Sequence, residues 1–256
     1  MQIGRLLRWP RRSAARNSDD VLVRHATDEI AVRGFTALRQ VLARDDVGAI
    51  CVAAQAFYDD VERRRLEPAT AYPRSYLFNA GNMATSMAAL DDYGTADYQL
   101  LRIVANSWAA ACLRHYLGDD LVCSLTHSRM RKSYPQSIPD HPRPSTVAWH
   151  SDGDKNVGYY GAYVLWVPFT PCNLDFAGLE FEQADGTIAK VDLELGDALL
   201  FPATTMHRTA DCPTSTQVRY SCDMRFFKVG DIPGRVHVKI AQDSLLSVRA
   251  FASEPW

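Results

Sequence analysis

Beyond residue 120 the chain breaks into short, evenly spaced, β-rich segments, and this run limits the possible folds more than any other feature. The segments lie at 121–134, 145–152, 159–169, 177–182, 187–193, 197–202, 205–210 and 217–228, with turn residues between them. Strands at this spacing build a sandwich or a jelly roll. The last segment is the clearest. Arg219, Ser221, Asp223 and Arg225 alternate with Tyr220, Cys222, Met224 and Phe226. Such alternation needs one polar and one apolar environment. In a lone sheet the polar face meets water, whereas inside a jelly roll it can line a polar cavity.

The first half reads as helical. Thr27-Asp28-Glu29 looks like a helix start and Gly34 like its stop, followed by a strand over Phe35–Leu38. Asp45-Asp46 opens a longer helix with Val47, Ile50, Ala54, Phe57, Tyr58 and Val61 on one face, and Arg63-Arg64-Arg65 suits its C-terminal dipole. Residues 66–94 are mostly loop. Leu100, Leu101, Val104, Trp108, Ala111, Cys112 and His115 recur at helical spacing up to Gly118. This divides the 256 residues into a basic, disordered tail (1–19) and a single domain (20–256). The domain has a helical first part (20–120), a jelly-roll core (121–228) and a C-terminal extension (229–256).

Charge and composition exclude several classes. The first 16 residues carry five arginines and no acid, so a formal net charge of -2 leaves -7 on the other 240. An acidic body argues against general nucleic-acid binding, which needs clustered Lys and Arg. The basic head lacks the apolar run of a signal peptide, although an organelle transit peptide shares its Arg-rich, acid-free composition. No apolar run approaches the roughly 18 residues of a membrane span. Six dispersed cysteines without a CxxC pair read as reduced thiols in a cytoplasmic protein. Arginine outnumbers lysine 23 to 5, as in GC-rich bacteria.

The chemistry concentrates in Trp149-His150-Ser151-Asp152-Gly153. Residues i and i+2 of a strand share a side, so His150 and Asp152 present an imidazole and a carboxylate together. His207 follows 57 residues later. Two imidazoles and a carboxylate with open positions opposite form the ligand set of non-haem Fe(II) oxygenases, and zinc accepts the same three ligands. Thr209 follows His207 on the same face, and Arg219 follows at twelve residues. An arginine grips a carboxylate bidentately. A metal triad with a carboxylate clamp is what a 2-oxoglutarate site requires.

Thr27 to Phe227 resembles the phytanoyl-CoA dioxygenase-like branch of the Fe(II)/2-oxoglutarate oxygenases. The likeness rests on Asp28-Glu29-Ile30 through Gly34-Phe35-Thr36-Ala37-Leu38-Arg39, on Trp149–Gly153 as its HxD motif, and on Leu165-Trp166-Val167-Pro168-Phe169. It continues through Gly196-Asp197 to Phe201 with His207, and through Arg219 to Phe226 as the closing strand. The resemblance implies a mixed α+β fold, a double-stranded β-helix (jelly-roll or cupin-like barrel) with supporting N-terminal helices. It also implies Fe(II) as cofactor, with 2-oxoglutarate and O2 as cosubstrates. His150, Asp152 and His207 would be the iron ligands, with Arg219, helped by Thr209, on the C5 carboxylate of 2-oxoglutarate. The chain departs from the family where Glu182-Gln183-Ala184-Asp185-Gly186 replaces a usual Pro-Gly-Ser-His stretch. Related halogenases carry a small residue where Asp152 stands, so hydroxylation is the expected outcome.

Several further residues are candidates. Arg131 lies on the first barrel strand, within reach of cosubstrate. Arg225 shares the face of Arg219; spacing from His207 favours Arg219 as the clamp, which leaves Arg225 to meet substrate or pair with Asp223. His127 is expected to be structural, and His141 to sit in a proline-rich approach loop. Tyr72, Arg74, Tyr76 and Asn79 fall in the long loop, a position suited to a substrate lid. The expected partner is a small molecule of specialised metabolism, free or loaded on a carrier, and neither nucleic acid nor membrane. Two other readings use the same barrel. A cupin-like metal isomerase or hydrolase would need the triad but not Arg219, and a non-catalytic binding module would need neither.

Overall fold

The computed structural model describes residues 16–63, 86–88, 94–135, 137, 147–153, 161–172, 177–228, 230–231 and 237–239. The lid candidates Tyr72, Arg74, Tyr76 and Asn79, as well as His141, lie outside them, as does the side chain of His127.

Helix α1 (Arg16–Arg33) starts well before Thr27. The Thr27 hydroxyl donates back to the Arg24 carbonyl at 2.8 Å, so a residue that reads as a cap is spent inside the helix. Gly34 ends it as expected, at φ +79°, with its N–H on the Ile30 carbonyl. After β1 (Thr36–Leu38), helix α2 (Arg44–Arg63) buries Val47, Ile50, Ala54 and Tyr58 as one stripe. The Tyr58 hydroxyl donates to the Met130 carbonyl at 2.9 Å. The helical pattern near residue 100 is two helices, α3 (Gly94–Ala105) and α4 (Trp108–Leu117). Ser107 divides them by capping α4, its Oγ accepting the Ala109 N–H.

The remaining elements are strands. A short β2 (Ser86–Ala88), unforeseen in the expected loop, precedes β3 (Leu121–Ser133) and β4 (Tyr163–Pro168). Then come β5 (Leu179–Glu182), β6 (Ile188–Lys190), β7 (Ala198–Pro202), β8 (His207–Thr209), β9 (Arg219–Lys228) and β10 (His237–Lys239). One antiparallel sheet runs β1-β7-β4-β9-β3-β10, with β2 also on β3. A second runs β6-β5-β8. Of the expected strand at 145–152, the described residues 147–152 show a single bridge, His150 to His207. Among the described residues the sheets do not close into a barrel.

Alternation along the strands divides the interior into two cores. Leu165 and Val167 of β4, Ala198 and Leu200 of β7, and Tyr220, Cys222, Met224 and Phe226 of β9 pack with the helices. Val164 and Trp166, Leu199 and Phe201, and Phe227 pack toward Leu179 and Phe181 of the small sheet. Helices therefore cover one face of the large sheet and the small sheet covers the other. The register of β3 on β9 shifts between Ser124 and Arg129, which is where the alternation of β3 falters in the sequence.

A latch holds the β1 turn to the loop before β7. Asp197, almost fully buried, accepts the Gln40 N–H at 2.8 Å, the Glu194 N–H at 3.0 Å and Arg39 Nη1 at 2.8 Å. Gly196, at φ +95°, accepts the Leu42 N–H, and a Cβ there would stand 2.5 Å from the Leu42 carbonyl oxygen. The Gly-Asp pair is thus required by backbone approach and turn capping. No helix among the described residues is long and apolar enough to cross a membrane.

Candidate metal centre

His150 and His207 come together through their main chains. The His150 N–H donates to the His207 carbonyl at 3.0 Å and the His207 N–H to the His150 carbonyl at 2.9 Å. Their rings lie 4.3 Å apart between centroids. Each Nδ1 is on a backbone carbonyl, Ala148 at 2.8 Å for His150 and Thr205 at 3.0 Å for His207. Nδ1–H donation to a carbonyl leaves the Nε2 lone pair free, the tautomer a metal ion requires.

Asp152 faces both Nε2 atoms. Its Oδ1 is 3.8 Å from His150 and its Oδ2 is 4.0 Å from His207. One ligand atom from each of the three residues falls within a common 4.8 Å, so the group could hold a metal ion. Burial opposes the Asp152 charge, but Arg225 first, then His207, Arg131 and His150, outweigh it and hold the carboxyl down at about 2. Burial pushes the His207 imidazole below its ordinary value even with Asp152 beside it. Both shifts favour the metal-binding protonation states.

The triad lines one cavity between the sheets with Arg131, Trp166, Thr209, Arg219 and Asp223. Arg219 is 4% exposed. It donates to the Ala177 carbonyl, to the Gly178 carbonyl at 3.2 Å and to Ser133 Oγ at 3.0 Å, and its guanidinium lies 5.3 Å from the centre of the Trp166 ring. Its Nε has no hydrogen-bond partner among the described residues. Burial lowers its affinity for the proton, so the charge is held at a cost and suits an incoming anion. Thr209 Oγ1 accepts the Val147 N–H at 3.0 Å.

The sequence leaves Arg225 to meet substrate or to pair with Asp223; the structure shows other pairings for both. Arg131 reaches Asp223 Oδ2 at 2.5 Å through both Nε and Nη2, while Arg225 Nη2 donates to Asp152 Oδ1 at 2.7 Å. The bulge in β3 sets this arrangement. It places Ser124 opposite Arg225 and Arg129 opposite Asp223, and leaves Arg131 diagonal to Asp223. Ser133 and Trp166 escaped the sequence reading. Both stand on segments read as strands, but their contact with Arg219 depends on β9 lying between β3 and β4, which a single sequence does not state. The substituted stretch after β5 forms a tight turn to β6, where Asp185 accepts the Thr187 N–H at 2.9 Å.

No family model and no curated protein matches the chain. Solved structures do. The epimerase SnoN in complex with Fe3+, alpha ketoglutarate and nogalamycin RO aligns with a TM-score of 0.63 at 13% identity, over 93% of this chain and 94% of that one. The non-heme monooxygenase ThoJ, in a nickel complex, aligns at 0.60 and 14% over 89% and 87%. A Pseudomonas putida prolyl-4-hydroxylase aligns at 0.56 and 14% over 81% and 100%. The shared fold is the double-stranded β-helix, with mixed helices and antiparallel sheets, as expected from the sequence.

Proposed function

We propose that the chain is an Fe(II)/2-oxoglutarate-dependent dioxygenase that hydroxylates, or otherwise oxidises, a small molecule in bacterial specialised metabolism. The observation that carries this reading is one cavity containing both the His150–Asp152–His207 group and the buried Arg219. Structures of the same fold include an alpha ketoglutarate-dependent epimerase and a non-heme monooxygenase, which supports the cofactor set.

In this reading His150, Asp152 and His207 hold Fe(II). Arg219 takes the far carboxylate of 2-oxoglutarate, with Thr209 and Arg131 lining the same space. Iron with 2-oxoglutarate and O2 supplies the oxidising power when bound. The chain's own work is orientation and exclusion of water. Carbonyls of Ala148 and Thr205 fix the imidazoles. Val164, Trp166, Leu179 and Phe201 give the cavity an apolar wall, which would help to exclude water around a bound substrate. A carboxylate at position 152 leaves no place for a halide, which favours hydroxylation. We read residues 20–256 as one oxygenase domain. Tyr72, Arg74, Tyr76 and Asn79 stay our candidates for contacting substrate, free or carrier-bound. Six free cysteines accord with a cytoplasmic setting.

The test is anaerobic addition of Fe(II) and 2-oxoglutarate, which should raise the weak visible charge-transfer band of a chelated keto acid. Folded protein without that band rules the reading out. A metal isomerase or hydrolase that ignores 2-oxoglutarate would instead keep its activity in Arg219→Ala.

A further inference from the structure

We propose that Arg225 is a positioning residue for Asp152. It holds Oδ1 and leaves Oδ2 alone to meet a metal ion, so that the carboxylate takes one coordination position and not two. The inference rests on the metal-and-keto-acid reading above and assigns Arg225 a role other than contacting substrate or clamping the far carboxylate.

Three observations carry it. Arg225 Nη2 donates to Asp152 Oδ1 at 2.7 Å, with side chains only 10% and 9% exposed. Asp152 Oδ2 remains toward His207, at 4.0 Å from Nε2. Arg225 is itself fixed by the β3 bulge: its N–H donates to Ser128 Oγ at 3.0 Å, and that hydroxyl donates to the Ser124 carbonyl at 2.6 Å. The guanidinium therefore arrives at Asp152 from a braced strand.

Two consequences point the same way. A two-histidine, one-carboxylate centre works by keeping positions open for ligands. A carboxylate chelating through both oxygens would fill one of those needed by a bidentate keto acid and O2. A guanidinium beside Asp152 also offsets its negative charge, so the ion keeps more attraction for an anionic chelator. Arg131, His150 and His207 are the other positively chargeable groups acting on Asp152; the His150 Nε2 stands 3.8 Å from Oδ1, whereas Arg225 Nη2 is bonded to it at 2.7 Å. Removing Arg225 frees an oxygen and removes a positive charge, neither of which weakens binding of the ion itself. The expected signature is therefore the opposite of losing a ligand: metal affinity survives and chelator affinity falls.

The experiment uses the full chain and Mn(II), with calorimetry of the ion first and then of 2-oxoglutarate and oxalate on the loaded protein. Oxalate chelates a metal but lacks the far carboxylate. R225M should bind Mn(II) as tightly as wild type or more tightly, and both chelators at least about tenfold more weakly. R225K, which keeps the charge without the planar fork, should fall between and serves if R225M does not fold. R219M should lose 2-oxoglutarate but keep oxalate. Wild-type oxalate affinity in R225M and R225K would overturn the proposal. So would loss of 2-oxoglutarate alone, which would make Arg225 a clamp for the far carboxylate, or a fall in Mn(II) affinity as large as that of D152A. Wild-type protein that binds Mn(II) and oxalate but not 2-oxoglutarate would sink the proposed function and leave this inference standing.

Discussion

The main chains of His150 and His207 are hydrogen-bonded to each other in both directions, at 3.0 and 2.9 Å. The two imidazoles are thus set by backbone pairing between segments 57 residues apart, before any ion arrives. The expected outcome is that chelators leave the fold intact, unlike a zinc finger, while metal adds stability by mass action. At a hundred times Kd the gain is about 2.7 kcal/mol. Thermal melts with a chelator and with Mn(II) check this; unfolding by the chelator would contradict it.

Asp152 and Arg225 are mutually dependent in the metal-free protein. Asp152→Ala leaves the buried guanidinium without that carboxylate and should cost about 3–5 kcal/mol, whereas D152A/R225M should recover part of the loss. The sign with pH follows from a carboxyl held at about 2, below its unfolded value. The contribution is fully present above about pH 4 and is lost as pH falls through the folded value. Denaturant melts of the wild type and both variants, from about pH 2 to about pH 7, read both effects, the wild-type advantage shrinking toward the acid end.

Metal affinity should fall on acidification, because both imidazoles must be neutral to bind. Burial lowers the proton affinity of His207, so this ring is already neutral at pH 7 and resists protonation to lower pH than an ordinary histidine. Mn(II) titrations across pH should show a plateau near neutrality and a decline on the acid side. Affinity that rises as pH drops would contradict the assignment.

Arg219→Ala should weaken 2-oxoglutarate binding by about 2–5 kcal/mol, the size found when one partner of a buried charge pair is removed. Arg219→Lys should not restore it, since a lysine cannot reproduce the planar fork or the stack on Trp166. Binding isotherms on metal-loaded protein decide the matter.

Gly196→Ala should destabilise the fold by about 2 kcal/mol or more, through positive φ and the clash with Leu42. Asp197→Ala should cost about 1–3 kcal/mol by leaving the Gln40 and Glu194 N–H groups without their acceptor. Burial opposes the Asp197 charge, and bonds from Gln40, Glu194 and Arg39 outweigh it, so its pKa is lowered. Its contribution therefore disappears only on acidification below the usual carboxylate range. Melting temperatures of both variants measure the latch.

Most of the strand layout was legible because short β-rich segments are set off by turn residues; β9 alternates openly in the sequence, whereas β4 and β7 are apolar runs whose side chains divide between two cores only in the fold. His150 and Asp152 were legible for the same reason, being i and i+2 at a strand end. What stayed hidden depends on which strand lies beside which. Ser133 meets Arg219 because β3 pairs with β9, and Arg225 meets Asp152 across 73 residues of chain, a contact no strand pattern states. Thr27 misled because a hydroxyl bonds a preceding carbonyl in a helix as readily as it caps one.

The two histidines differ in exposure, 33% for the His150 side chain against 6% for His207. The centre therefore has a front and a back. In the proposed role, an ion coming from the exposed side would meet the His150 imidazole first and gain Asp152 and His207 by moving inward. On leaving, it breaks with the buried donors first and with His150 last. If loading and release share that side, blocking it slows both by the same factor and leaves the equilibrium affinity untouched.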